Sequence, residues 1–308
     1  MAVAPWRIVF MGTPAFAVRS LEGLLAGDDT VVAVFTQPDR PVGRGLQLAA
    51  SPVKQAALLR DIPVFQPERL RSAEAVAALS QLRPDLVVVV AYGQILSPEV
   101  LAIPPQGCLN VHASLLPRWR GAAPLQRALL AGDGETGVSL MQMEAGLDTG
   151  PVLGQRRQPL TGDWTGGALH DCLAALGGEL LRESLPLLKA GGLRAVPQSV
   201  EGVTYAAKLT AADERIDWQG SAVQIRRQIL ALNPWPAAHM LLDGKPLKIF
   251  NCRLGDGAGE PGRFIARHGD GPEIACGQGS LVLTELQPPG KRRMLAIDWL
   301  RGQGASYM

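Results

Sequence analysis

Asn110 and His112 stand two residues apart in the stretch Cys108-Leu-Asn-Val-His-Ala-Ser-Leu-Leu-Pro-Arg-Trp-Arg-Gly121. Leu109-Asn-Val-His112 reads as a short strand, and side chains two apart on a strand leave by the same face. An amide beside an imidazole is chemically useful. Asn donates or accepts hydrogen bonds, and His titrates near neutral pH and can carry a proton. After the pair, apolar residues lead to Pro117 and two arginines, a segment suited to a loop that shapes a pocket wall. Further on, Gly137-Val-Ser-Leu-Met-Gln-Met143 reads as a strand that feeds the glycine-flanked loop Glu144-Ala-Gly-Leu-Asp-Thr-Gly150. That loop presents Asp148 at a strand end, where open α/β sheets bind ligands. Spacing by itself leaves two readings open. A single strand histidine is more often a satisfied structural group, whereas an amide, an imidazole and a carboxylate gathered in a cleft form a proton-transfer set.

The elements that would position these groups begin with Arg7-Ile-Val-Phe-Met11, a short buried-type strand turned by Gly12-Thr13-Pro14 into a helix whose apolar face holds Phe16, Leu21, Leu24 and Leu25. Val31–Phe35 is the next strand, so the chain opens with a βαβ unit and a parallel sheet. Gly-Thr-Pro-Ala-Phe-Ala at the first turn has one glycine where a dinucleotide fingerprint needs three, which excludes a nicotinamide dehydrogenase. Ser51-Pro52 starts a helix running to about Arg60, Ile62–Phe65 is a short strand, and a further helix follows Ser72. The fully apolar Leu86–Val90 reads as a central parallel strand, followed by the loop Ala91-Tyr-Gly-Gln-Ile-Leu96. Thr165 caps a long helix that stops at Lys189-Ala-Gly-Gly192. His170, inside it, reads as a surface or packing residue.

Thr36–Ala50 lacks any helical or strand period, and a loop that long in a compact domain tends to be functional or disordered. It carries Arg40 and Arg44, which could contact phosphates or simply be solvated. Residues 193–210 read as a linker. Beyond them come a helix over Ser221–Leu232, stopped by Asn233-Pro-Trp-Pro236, and short strands with hairpin signals at Asp243-Gly244, Gly269-Asp-Gly271 and Gly277-Gln-Gly279. These predict a small β-barrel. The expected class is therefore α/β: a Rossmann-like, doubly wound, mostly parallel sheet over 1–192, then an OB-like barrel over 211–308.

Composition sets outer limits. The chain has 308 residues, enough for two domains, and a net charge of +2, so any nucleic-acid contact must come from local patches such as Lys291-Arg292-Arg293. Cys108, Cys172, Cys252 and Cys276 are far apart, with no Cys-x-x-Cys spacing, which argues against a zinc ribbon and fits a reducing compartment. No metal-ligand cluster is expected. With no signal-peptide pattern and no long apolar run, a cytoplasmic protein off the membrane is expected.

Taken jointly, Asn110-Val-His112, Ser114-Leu-Leu-Pro117 and Gly146-Leu-Asp-Thr-Gly150 resemble the active-site signature of the folate-dependent formyltransferases. Pro38-Asp-Arg-Pro-x-Gly-Arg-Gly45, Asn233-Pro-Trp-Pro236 and Gln287-Pro-Pro-Gly-Lys291 extend the resemblance to the tRNA-acting members of that family. It implies formyl transfer from 10-formyltetrahydrofolate to the α-amine of methionyl initiator tRNA, without a metal, by a monomer. By the same resemblance Asn110, His112 and Asp148 are catalytic. Ser114, Leu115, Leu116 and Pro117, with Tyr92, Gly93, Gln94, Ile95 and Leu96, wall the pterin pocket; Ile95 and Leu96 would also serve as ordinary core. Phe16 lies near the aminoacyl pocket or is a packed core aromatic. Arg40 and Arg44 sit in an inserted loop that enters the acceptor stem, and Lys291 and Arg292 lie on a tRNA-contacting barrel. One departure is plain: Leu46 and Gln47 stand where family members often carry lysines.

Overall fold

The computed structural model describes residues 4–42 and 47–302. The chain forms two compact units. The first holds residues 1–124, 136–159 and 170–206; the second holds 125–135, 160–169 and 207–308.

In the first unit a seven-stranded sheet runs, in spatial order, Val152–Pro159, Glu135–Gln142, Cys108–His112, Leu86–Val90, Arg7–Gly12, Thr30–Phe35 and Val64–Phe65. Arg7–Gly12 pairs in parallel with Thr30–Phe35 on one side and Leu86–Val90 on the other, so the strand order reverses at the first strand. Leu86–Val90 in turn pairs in parallel with Cys108–His112. Every residue of Leu86–Val90 is buried, as a central strand covered on both faces requires. The partner on the far side of Cys108–His112 is antiparallel: His112 lies opposite Ser139 and Asn110 opposite Met141. Both polar residues thus sit on an interior strand at its carboxyl end.

The helix starts follow from side-chain caps. Ser51 Oγ accepts from the Lys54 amide at the head of Pro52–Leu58, and Ser72 Oγ accepts from the Ala75 amide at the head of Ala73–Gln81. Thr165 Oγ1 accepts from the Ala168 amide and caps the helix Gly166–Lys189. In the first unit that helix lies close against Ala15–Leu25, since a Cβ on Gly23 would come within 2.7 Å of the Gly178 carbonyl oxygen.

Two expectations change here. The stretch Thr36–Ala50 is not free of regular structure: Arg40–Val42 and Gln47–Ala49 pair as an antiparallel ribbon. Three residues a side are too few to show a period in sequence. Most of the stretch read as a linker belongs to the first unit. Val196 bridges to Val152, and Tyr205–Ala206 pairs in parallel with Arg120–Gly121. Backbone groups there are satisfied by pairing, which does not depend on a hydrophobic pattern.

The second unit is built on an antiparallel sheet in the order Ala238–Leu242, Lys245–Gly255, Ser280–Gln287, Pro272–Ala275 and Phe264–Arg267, with Met294–Leu295 added to Ser280–Gln287. Asp243 and Gly244, with φ of 50° and 73°, make the tight turn between the first two strands. Register shifts near Asn251 bend the long central pair. The strands curl as a small barrel around Met240, Leu247, Ile249, Leu281, Leu283 and Leu286. The helix Ala222–Ala231 contributes Ile225 and Ile229 to this core, and the helix Ala296–Gly302 contributes Trp299 and Leu300. Among the described residues no helix is long and apolar enough to cross a membrane.

Candidate active site

Asn110 and His112 project from the end of Cys108–His112, with relative exposures of 9% and 6%. His112 Nε2 lies 2.8 Å from the Trp119 carbonyl oxygen. A carbonyl only accepts, so Nε2 carries the hydrogen and a neutral ring keeps its lone pair on Nδ1. That Nδ1 lies 3.8 Å from Asp148 Oδ2. Asn110 Nδ2 donates to Asp148 Oδ1 at 3.3 Å, and the Gly121 amide donates to Asp148 Oδ2 at 2.8 Å. One carboxylate therefore gathers the amide, the imidazole and a backbone N–H, and its own side chain is only 14% exposed.

Asp148 has φ of 50°, in the left-handed region that Asp tolerates better than most residues. The loop can close because position 150 is glycine: a Cβ there would sit 1.8 Å from the Gln142 carbonyl oxygen. The loop after His112 is fixed from below by Ser139, which is fully buried. Ser139 Oγ donates to the Ser114 carbonyl at 2.7 Å and accepts from the Leu116 amide at 3.0 Å and from Gln155 Nε2 at 2.9 Å. Ser114 Oγ donates to the Arg118 carbonyl at 2.6 Å, closing the turn that carries Leu115, Leu116 and Pro117. Ser114 and Leu116 are buried, while Leu115 and Pro117 are half-buried.

The loop after Leu86–Val90 divides its side chains. Tyr92 is 2% exposed, packed within the apolar cluster of Val9, Met11, Phe35 and Leu96, and burial pushes its phenol far above its ordinary pKa. Its backbone carbonyl accepts from Thr13 Oγ1 and Gln37 Nε2. Gln94 is also occupied structurally, accepting from the Leu70 amide at 2.6 Å and donating to the Pro67 carbonyl at 3.0 Å. Leu96 is core, whereas Ile95 is 90% exposed and Gly93 turns with φ of 85°. Of these five residues, Ile95 is the one that leaves a large apolar side chain free. Alternation cannot separate these fates, because a loop has no fixed side-chain period.

Phe16 is buried and meets His170 edge-on, with ring centroids 5.5 Å apart. His170 also lies 2.9 Å from Asp171 through Nδ1. Arg40 is exposed, and Arg44 and Leu46 lie outside the described residues. At the base of that ribbon Lys54 Nζ donates to Asp39 at 2.6 Å and Gln66 Nε2 donates to it at 2.7 Å, and these bonds hold the Asp39 carboxyl below its ordinary pKa. Lys291 and Arg292 are exposed. Arg293 is occupied, paired with Glu285 and stacked over Phe250.

Gln198, which donates to the Asp148 and Gly150 carbonyls, and Arg120, which donates to Gln198, were not among the sequence candidates, and the reach across 78 positions left no local signal. Among the described residues no group of three His, Cys, Asp or Glu side chains could hold a metal ion. All four cysteines are free.

Comparison with known proteins adds an independent line. Residues 6–185 match the formyl transferase family, and residues 208–304 match the formyl transferase C-terminal domain. The methionyl-tRNA formyltransferase of Magnetococcus marinus is 57% identical over 299 residues, covering 97% of this chain and 96% of that protein. The methionyl-tRNA formyltransferase of Xanthomonas campestris pv. campestris is 55% identical over 301 residues, covering 96% of this chain and 97% of that protein. Among solved structures, the N-formyltransferase from Helicobacter canadensis in complex with folinic acid and dTDP-3-aminofucose aligns with a TM-score of 0.68 at 18% identity, covering 90% of this chain and 98% of that one. At that identity the likeness speaks for the fold.

Proposed function

Because this chain belongs to the formyl transferase family, we propose from its full-length similarity and its own site that it transfers the formyl group of 10-formyltetrahydrofolate to the α-amine of methionyl initiator tRNA. The observation that carries this reading is the convergence of Asn110, His112 and Asp148, with the His112 ring held through Nε2 so that Nδ1 is the atom left to move a proton.

The folate supplies the activated formyl group. The protein's part is to accept protons and to offer hydrogen bonds where negative charge develops. Asn110 Nδ2 is the donor suited to the formyl oxygen, joined by His112 Nδ1–H once that nitrogen has taken up a proton, because polar groups fixed before reaction stabilise charge without reorganising. His112 Nδ1 takes the proton released by the attacking amine, directly or through water, and that proton goes to the tetrahydrofolate nitrogen as its bond to the formyl carbon breaks; while on Nδ1 it would face the Asp148 carboxylate. Asp148 also orients Asn110 and the Gly121 amide. Ile95 and the turn Ser114–Pro117 supply the apolar and backbone surface proposed to hold the pterin. Phe16, Arg40, Arg44, Lys291 and Arg292 are the proposed aminoacyl and tRNA contacts. We propose that one chain is the working unit, since Asn110, His112 and Asp148 all come from it.

The test is transfer of labelled formyl from 10-formyltetrahydrofolate to methionyl initiator tRNA, with free methionine as control. Labelling of the tRNA alone is expected. Labelling of neither, with folate binding retained, would redirect the acceptor to a small amine. His112→Ala should lower turnover far more than folate affinity, and equal losses in both would remove His112 from its role.

A further inference from the structure

Gln198 lies outside the sequence motif, yet every hydrogen-bonding atom of its amide is used beside Asp148. Its Nε2 donates to the Asp148 carbonyl at 2.7 Å and to the Gly150 carbonyl at 2.8 Å. Its Oε1 accepts two bonds from the Arg120 guanidinium, from Nε at 3.0 Å and from an Nη at 2.7 Å. A guanidinium only donates and a carbonyl only accepts, so the partners allow one orientation of the amide. The neighbouring chain reinforces the arrangement. Thr204 accepts from the Trp119 amide through Oγ1 at 2.8 Å and from the Arg120 amide through its carbonyl at 2.9 Å.

We propose that Gln198 is a positioning residue for the transfer reaction, setting the Asp148 carboxylate against Gly121, Asn110 and His112. The inference rests on the reading of Asp148 given above. Asp148 needs such a clamp because it sits at positive φ, where its conformation must be held by its surroundings. Gln198 grips the backbone of Asp148 and the side chain of Arg120, the residue before Gly121, whose amide donates to Asp148 Oδ2. It therefore fixes the two loops relative to each other at the point where the carboxylate bridges them. Arg120 is itself buried, so its guanidinium is a rigid anchor rather than a solvated arm. None of these contacts requires Gln198 to touch substrate.

The experiment is a pair of variants, Gln198→Met and Gln198→Glu, with Asp148→Asn alone and combined with Gln198→Met. Methionine keeps the length of the side chain and removes all four bonds. We expect Gln198→Met to lower the single-turnover transfer rate about 10- to 100-fold, the scale of a group displaced by around 1 Å, with KM for folate and for tRNA changed by less than about threefold. The double variant should be no slower than Asp148→Asn alone by more than about twofold, since both act through one carboxylate. Gln198→Glu keeps the acceptor for Arg120 and loses both donors. Its rate should recover towards acid pH, where the protonated acid regains one donor, and this readout serves if Gln198→Met does not fold. A rate for Gln198→Met within about threefold of the parent, a double variant slowed by the product of the singles, or a Gln198→Glu deficit equal at every pH would each overturn the proposal. If Asp148→Asn alone were near the parent rate, the reading of Asp148 would fail first, and the two failures are thus distinguishable.

Discussion

Asp148→Asn isolates the charge of the carboxylate while leaving its shape. Asn is as tolerant as Asp of the left-handed region, so the φ of 50° adds no backbone cost. The carboxylate now accepts from Asn110 Nδ2 at 3.3 Å and from the Gly121 amide at 2.8 Å. An amide at 148 can keep its oxygen for Gly121 only by turning its NH2 towards Asn110. Asn110 must then rotate its own amide to offer oxygen there, which moves its donor out of place. His112 Nδ1 loses the negative group 3.8 Å away in the same step. Removing one aimed donor costs about 10²–10³ in turnover, and a displaced acid–base group costs about 10²–10⁴. The two losses share one network and do not multiply, so the expected fall in kcat is about 10³-fold, with kcat/KM falling equally. Stability should drop by about 1–2 kcal/mol as a charge-assisted bond becomes neutral. The assay is rapid-quench single turnover with excess enzyme and labelled formyl donor, beside thermal unfolding. A rate within tenfold of the parent, in a variant that melts normally, would refute the reasoning.

Four further outcomes follow from other parts of the structure. Ser139→Ala strips two donors and one acceptor of their partner in a fully buried position and should cost about 2–4 kcal/mol in thermal or urea unfolding. Gly150→Ala should unfold the Asp148 loop and abolish transfer, because its Cβ would meet backbone rather than a movable side chain, and a soluble, active variant would contradict this. The hydroxyl of Ser280, then His268 and the Gly257 amide, hold the Glu273 carboxyl down from 4.5 to about 2. Its contribution to the second unit is therefore whole above pH 4.5 and fades as pH falls towards 2; Glu273→Gln should flatten acid unfolding followed by circular dichroism across that window. Cys108, Cys252 and Cys276 are buried, which pushes their thiols up to about 12, 12 and 11; Cys172, also raised by burial and by Glu179, is only half-buried, so alkylation of the native protein at pH 8 should reach Cys172 alone by intact mass.

Much of the site was legible in one dimension. Asn110 and His112 share a face because a strand alternates with period two, and the glycines around Asp148 announced a tight loop at a strand end. The apolar run Leu86–Val90 and the helix starts at Ser51, Ser72 and Thr165 were equally local signals, and the elements formed where they pointed. Local pattern reports which way a side chain leaves its own element, and that is all it reports. It could not say that Tyr92 turns into the core while Ile95 stays in solvent, since a loop lacks a repeating geometry. Nor could it say that Gln198, 50 positions from Asp148 and 78 from Arg120, joins their two loops. The proton on His112 Nε2 was likewise decided by the approach of the Trp119 carbonyl. These last facts belong to tertiary structure because each depends on hydrogen bonds between segments brought together only when the sheet has formed, and a directional bond leaves no periodic trace in the chain that makes it.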